Sequence, residues 1–192
     1  MENSTFKEYI KPALVLVVIC LVVSFALTQT YAITKPIIEQ NAAKAADEAR
    51  ALVLPDGDSF TAYDGKLNDG ILDYYIADNK AGVAVTSTAK SFGGTIKVMV
   101  GIDAEGAITG VTVTAHSDTP GLGTKAMTVE YLSQYNGKTA ADVIPDMANI
   151  GQDNIKKNAN LDAITGATIS SNGIYHSVQG ALAQFEAAGG VN

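Results

Sequence analysis

The strongest pattern along the chain is a run of 21 residues without a charge, Ala13 to Ile33. Its apolar centre, Ala13 to Leu27, holds one hydroxyl, that of Ser24. A helix of that length reaches roughly 30 Å, the thickness of a bilayer's hydrocarbon core. Thr28, Gln29, Thr30 and Tyr31 weaken the far end but suit a membrane interface. Residues 12–33 therefore read as a membrane anchor behind a short tail, 1–11. A cleaved signal peptide stays open beside it, with Ala13 to Leu27 as its apolar stretch and Thr30-Tyr31-Ala32 as the cleavage site. Both readings put the rest of the chain outside the cytoplasmic membrane.

Beyond the anchor the period changes. Pro36 suits the first turn of a new or kinked helix. Ile37, Ile38, Ala42, Ala45, Ala46, Ala49, Leu52 and Val53 then recur at helical spacing. This predicts a connecting helix over 34–54, stopped by the turn Pro55-Asp56-Gly57-Asp58. Short strands are expected at 73–77 and 82–88. Two stronger ones come next: Ile96, Val98, Val100 and Ile102 share one face, and so do Val111, Val113 and Ala115. Asp103-Ala104-Glu105-Gly106 between them is hairpin chemistry. Thr124 is expected to cap a short helix running to Tyr135 and ended by Asn136-Gly137. The stretch 138–160 shows no clear pattern. Ser170 or Ser171 is expected to cap a last helix with the stripe Ile174, Val178, Leu182 and Phe185, ended by Gly189-Gly190. The fold class is thus α+β: one N-terminal transmembrane helix, then a domain at 55–192 with an antiparallel sheet flanked by helices.

Charge and composition remove several functions. The net charge is −7, and the tail's Glu2, Glu8, Lys7 and Lys11 cancel, so the negative balance lies after the anchor. An acidic domain with one arginine, Arg50, is a poor match for a nucleic-acid backbone. One cysteine, Cys20, permits no intramolecular disulfide and no cysteine cluster for a metal. His116 and His176 are far apart in sequence. Any chemistry then comes from a bound organic cofactor, or none occurs here.

Three loops are candidates for it. Ser91-Phe92-Gly93-Gly94 precedes a strand, with Phe92 either stacked on a ring or part of the core. Asp118-Thr119-Pro120-Gly121-Leu122-Gly123 is a rigid turn, poor in side chains, between a strand and a helix. Asp162-Ala163-Ile164-Thr165-Gly166-Ala167-Thr168 precedes the last helix. A helix N-terminus offers free N–H groups and a positive dipole end, and Gly166 and Ala167 let a bulky group approach. Thr165 and Thr168 flank them. Local chemistry leaves two readings open: a site for a phosphate, bound or esterified, or a loop with helix-capping hydroxyls.

Asp162-x-x-Thr165-Gly166-Ala167-Thr168 resembles the flavinylation motif of the FMN-binding domain family, Asp-x-x-Ser/Thr-Gly-Ala-Thr. Ser91-Phe92-Gly93-Gly94 resembles its Gly-Tyr-Gly-Gly stretch, and Asp118 to Gly123 its Glu-Thr-Pro-Gly-Leu-Gly loop. The three occur in the family's order. Phe92 stands where Tyr is common and Asp118 where Glu is common. With the anchor, the resemblance is to the G subunits of Rnf complexes, ion-translocating ferredoxin:NAD oxidoreductases. The C subunit of the sodium-translocating NADH:quinone reductase is a close relative. The resemblance implies FMN held covalently through a phosphoester to Thr168, placed there by a flavin transferase. Thr165, Gly166, Ala167, Asp162, Thr119, Pro120, Gly121, Leu122, Gly123, Phe92 and Gly93 are the implied cofactor-binding residues, with no catalytic residue and no metal. The partners implied are the other membrane subunits of such a complex. A subunit of this kind carries electrons within a translocase and has no independent activity. A reading from another class, a membrane-tethered extracellular non-redox binding module, predicts no covalent flavin.

Overall fold

The computed structural model describes residues 9–144, 146 and 149–191. The chain divides into two units, 1–45 and 46–192. The first helix, α1, covers Lys11–Val53. Its residues through Ala45 are exposed, and it is long and apolar enough to cross a membrane. Inside the apolar stretch the Thr28 hydroxyl donates to the Ser24 carbonyl at 2.8 Å, and that of Thr30 to the Ala26 carbonyl at 3.0 Å. Their polar atoms are thereby satisfied without water. Pro36 lies inside this helix and starts no new one. The expected boundary between an anchor at 12–33 and a connecting helix at 34–54 falls within α1.

The second unit is built on a five-stranded antiparallel meander: β1 (Phe60–Ala62), β2 (Ile71–Ala77), β3 (Gly82–Ser91), β4 (Gly94–Asp103) and β5 (Ile108–Ala115). After it come a 3-10 turn at Gly123–Met127, α2 (Val129–Leu132), α3 (Ala140–Val143) and α4 (Thr168–Ala188). The alternation expected in β4 holds: Ile96, Val98, Val100 and Ile102 are fully buried on one face. Against them pack Ile174, Val178 and Leu182 of α4, while Phe185 is half-buried at the cluster's edge. Gly173 lets α4 close on β3, since a Cβ there would sit 3.0 Å from the Lys90 carbonyl oxygen. The Asp103–Gly106 turn forms as expected, with Gly106 at φ 87°.

The opposite face of the sheet takes the end of α1. Val53 packs with Ala84 and Met99, and the Arg50 guanidinium lies 3.7 Å over the Tyr75 ring. Between Ile108 and Gly110 the register slips against β4, leaving Thr109 as the extra residue. This bulge puts Ile108 and Val111 on the same buried face despite their odd spacing. It also aims the Thr109 hydroxyl at the Val53 carbonyl, 2.5 Å away.

Two expected caps are not caps. Thr128, not Thr124, caps α2, its hydroxyl accepting from the Tyr131 N–H. The chain first makes a 3-10 turn, because the Thr124 hydroxyl is engaged by the Gly121 N–H at 2.9 Å. Ser170 and Ser171 lie inside α4, whose N-cap is Ala167 with no side-chain cap. The unpatterned stretch 138–160 contributes Val143, Ile144 and Ile155 to the core.

Candidate functional site

The three glycine-bearing loops meet at one end of the sheet. Ser91 pairs with Gly94 across a tight hairpin whose tip is Phe92-Gly93. Phe92 is 67% exposed, so it is not the core residue that was one of its expected roles. The loop after β5 turns on Thr119, whose carbonyl accepts from the Leu122 and Gly123 N–H groups, with Gly121 at φ 75°. The loop before α4 turns on Ile164, whose carbonyl accepts from the Ala167 N–H at 3.0 Å. Gly166 sits at φ 84° in that turn, a backbone region costly for any other residue.

Between them lies a cleft of about 240 Å³ lined by Phe92, Thr119, Leu122, Gly123, Gly166, Ala167, Thr168, Ile169 and Ser170. Its rim is apolar: Phe92, Leu122 and Ile169 are all exposed large hydrophobics. Its floor is the start of α4. The first intrahelical bond there runs from the Ser171 N–H to the Ala167 carbonyl. The N–H groups of Thr168, Ile169 and Ser170 are therefore left without an intrahelical partner, and no side chain caps them. Free donors and a positive dipole end suit an anion beside the Thr168 hydroxyl, and the apolar rim suits a flat ring. These residues fit a flavin mononucleotide.

Of the residues expected from the sequence, Phe92, Thr119, Leu122, Gly123, Gly166, Ala167 and Thr168 line the cleft. Pro120, Gly121, Gly93, Asp162 and Thr165 do not. Thr165 is exposed on the turn. Asp162 is held by its backbone: its carbonyl accepts from the Tyr131 hydroxyl at 2.7 Å, and its N–H donates to Gln134 Oε1 at 2.8 Å. The Ser171 hydroxyl accepts from the Ile164 N–H at 3.1 Å. Tyr131, Gln134 and Ser171 thus pin the loop that carries Thr168. Sequence reasoning missed the first two, because their partners lie about thirty residues away. It also missed Ile169 and Ser170 as lining residues, although a helix starting at Thr168 puts its next two residues at the same end.

Asp118 is the other residue whose role was not legible. It is 4% exposed and accepts from the Ser91 hydroxyl and the Gly93 N–H, each at 2.5 Å. The Ser170 hydroxyl stands beside the same carboxylate and acts on it as a third donor. Two glycines make this possible. A Cβ on Gly93 would overlap the Ser117 carbonyl oxygen, and one on Gly123 would come within 2.8 Å of both Asp118 Cβ and Ser170 Oγ. Burial pushes the Asp118 carboxyl up, but the bonds from Ser170, Ser91 and the Gly93 N–H, with His116 nearby, outweigh it and hold the group below its ordinary 3.8. A carboxyl depressed in the folded state stabilises fully above its ordinary value, and that stability is lost as pH falls through the folded value. The expected result is a wild-type chain that melts above Asp118→Asn near neutrality, with the difference shrinking once pH falls below about 5 and gone only below the folded value. A difference independent of pH would show that the charge contributes nothing.

A family model described as FMN-binding domain matches residues 91–183, which contain all three loops. The chain is 31% identical over 186 residues to the G subunit of the Na(+)-translocating ferredoxin:NAD(+) oxidoreductase complex of Acetobacterium woodii, covering 88% of this chain and 87% of that one. It is 31% identical over 189 residues to the G subunit of the ion-translocating oxidoreductase complex of Methanosarcina acetivorans, covering 93% and 95%. It is 28% identical over 174 residues to the G subunit of the proton-translocating ferredoxin:NAD(+) oxidoreductase complex of Clostridium ljungdahlii, covering 88% and 87%. With matching motifs and near full-length similarity, the chain belongs to the family of FMN-binding G subunits of ion-translocating ferredoxin:NAD(+) oxidoreductase complexes.

Proposed function

We propose that this chain is the electron-transfer subunit of an Rnf-type complex and carries FMN covalently through a phosphoester to Thr168. Residues 12–33 anchor it, 1–11 face the cytoplasm, 34–54 connect, and 55–192 hold the flavin outside the cytoplasmic membrane. The observation that carries this reading is the position of Thr168, at an uncapped helix N-terminus and facing an apolar cleft bordered by the two other loops of the family pattern. Attachment exchanges the Thr168 Oγ–H bond for an Oγ–P bond, with FAD as flavin donor and AMP as leaving group. No carboxylate or imidazole lines the cleft among the described residues, and a base supplied by another protein would take the proton. This fits a separate flavin transferase and makes Thr168 an acceptor and tether. The bound flavin supplies the redox chemistry, and the protein supplies position and electrostatics. Ion movement belongs to the partner subunits, since 13–33 hold no carboxylate, lysine, arginine or histidine.

The test is co-expression of the exported chain with a flavin transferase, followed by a denaturing gel under ultraviolet light. A fluorescent band at the chain's mass is expected. A dark band from well-exported protein, with the transferase active on a control substrate, would refute covalent attachment and favour a non-redox binding module.

A further inference from the structure

Phe92 forms one wall of the cleft, yet it sits at the tip of a two-residue hairpin turn. Beyond the β3–β4 ladder that closes it, that turn is held by a carboxylate. Asp118 Oδ2 takes the Ser91 hydroxyl at the end of β3, Oδ1 takes the Gly93 N–H in the turn, and the Ser170 hydroxyl comes from the first turn of α4. We infer that Asp118 is the positioning residue of the flavin site: it ties the Ser91–Gly94 turn to the start of α4 and so sets the gap between Phe92 and Thr168. This rests on the reading of the cleft as a flavin site.

The carboxylate couples the three segments energetically. A buried carboxylate is costly unless donors replace its lost water. Here the donors come from the turn and from the helix start, while the carboxylate comes from a third loop. Asp118 is satisfied only when all three segments are assembled, so none moves without orphaning a buried charge. Gly93 and Gly123 are part of the same device, because a Cβ on either would fill the space the bonds need. A flat ring held between Phe92 and the start of α4 is sensitive to that gap, as a misplacement of about 1 Å can cost a large factor in a positioned reaction.

The substitutions separate positioning from mere stability. Asp118→Ala removes the bonds to Ser91 and Gly93 and the carboxylate that faces Ser170. Asp118→Asn keeps one: its amide oxygen can accept the Gly93 N–H, but both serine hydroxyls must turn round to accept from its NH2 group. Amide hydrogen exchange is measured on the unloaded full-length chain, and the rate of flavin attachment and the visible circular dichroism on the chain co-incubated with transferase and FAD. The expected order of attachment rate is wild type, then Asn, then Ala, with Ala slower by at least about tenfold. Gly93 exchange should quicken by about tenfold in Ala while β4 and the middle of α4 stay protected. The visible dichroism of whatever flavin attaches should change. If Ala fails to fold, Asn and Ser170→Ala carry the same test. Attachment at the wild-type rate with unchanged dichroism would overturn the inference. Attachment that falls only in proportion to uniformly faster exchange would also overturn it, by reducing Asp118 to a stability residue. A wild-type chain without flavin would instead sink the covalent reading, and Gly93 exchange would still decide whether the clamp exists.

Discussion

Thr168→Val is expected to abolish covalent flavin while leaving the fold intact. Valine has the shape of threonine and replaces only the hydroxyl with a methyl group. Thr168 is the first residue of α4, where the two differ little in helix propensity, so the cost to stability should stay within roughly 0.5 kcal/mol. The melting curve and far-ultraviolet dichroism should match the wild type. The gel band, in contrast, should fall to background, because a methyl group has no atom that can form the phosphoester. Thr168→Ser keeps the hydroxyl and should keep part of the band. Thr165→Val serves as the internal comparison. Thr165 lies on the same turn, three residues earlier and exposed, but it does not line the cleft. A band that survives Thr168→Val and vanishes in Thr165→Val would move the attachment point to Thr165.

Gly101→Val should be among the most damaging single changes to the folded unit. Gly101 lies on the face of β4 that receives the end of α1. A Cβ there would overlap the Val53 carbonyl oxygen and come within 2.6 Å of the Thr109 hydroxyl oxygen. Both neighbours are bound to each other, so neither can give way cheaply. Valine must push the end of α1 off the sheet. That breaks the Thr109–Val53 bond, uncovers Val53 and Met99, and lifts Arg50 from Tyr75. Overpacking with these losses should cost about 3 kcal/mol or more, near a 10 °C fall in melting temperature for a unit of this size. Gly180→Ala is the contrasting case. Its Cβ would meet only Ile71 Cδ1, at 3.7 Å, an ordinary contact, and alanine favours a helix over glycine by about 1 kcal/mol. Its melting temperature should rise. Equal effects from the two substitutions would show that the α1 end does not bear on the sheet.

The alternating strand β4 and the α4 stripe were legible because each is a local periodicity that burial on one face enforces. The turns at Gly106, Gly137 and Gly189 were legible because a positive φ calls for glycine. The caps were read wrongly at Thr124, Ser170 and Ser171 for one reason. Each of these hydroxyls has a use outside its own helix end: the Gly121 N–H, Asp118 and the Ile164 N–H respectively. Capping propensity is a local preference, and a tertiary partner overrides it. Phe92 stayed open between core and ring in the sequence, since an aromatic residue beside a strand is core by default unless a turn projects it outward.

By itself the sequence determined the apolar helix long enough for a membrane, the two-faced central strands and the three glycine loops with Thr168 in the last. These depend on neighbours a few residues apart, where spacing and residue type suffice. Only the tertiary structure decided that the loops line one cleft, that α4 begins uncapped beneath it, and that Asp118 joins the turn to the helix. Those facts come from pairings across as many as 79 positions, such as Ser91 with Ser170 through Asp118, and no local period encodes them. A buried carboxylate chooses its donors only once the sheet has brought them together.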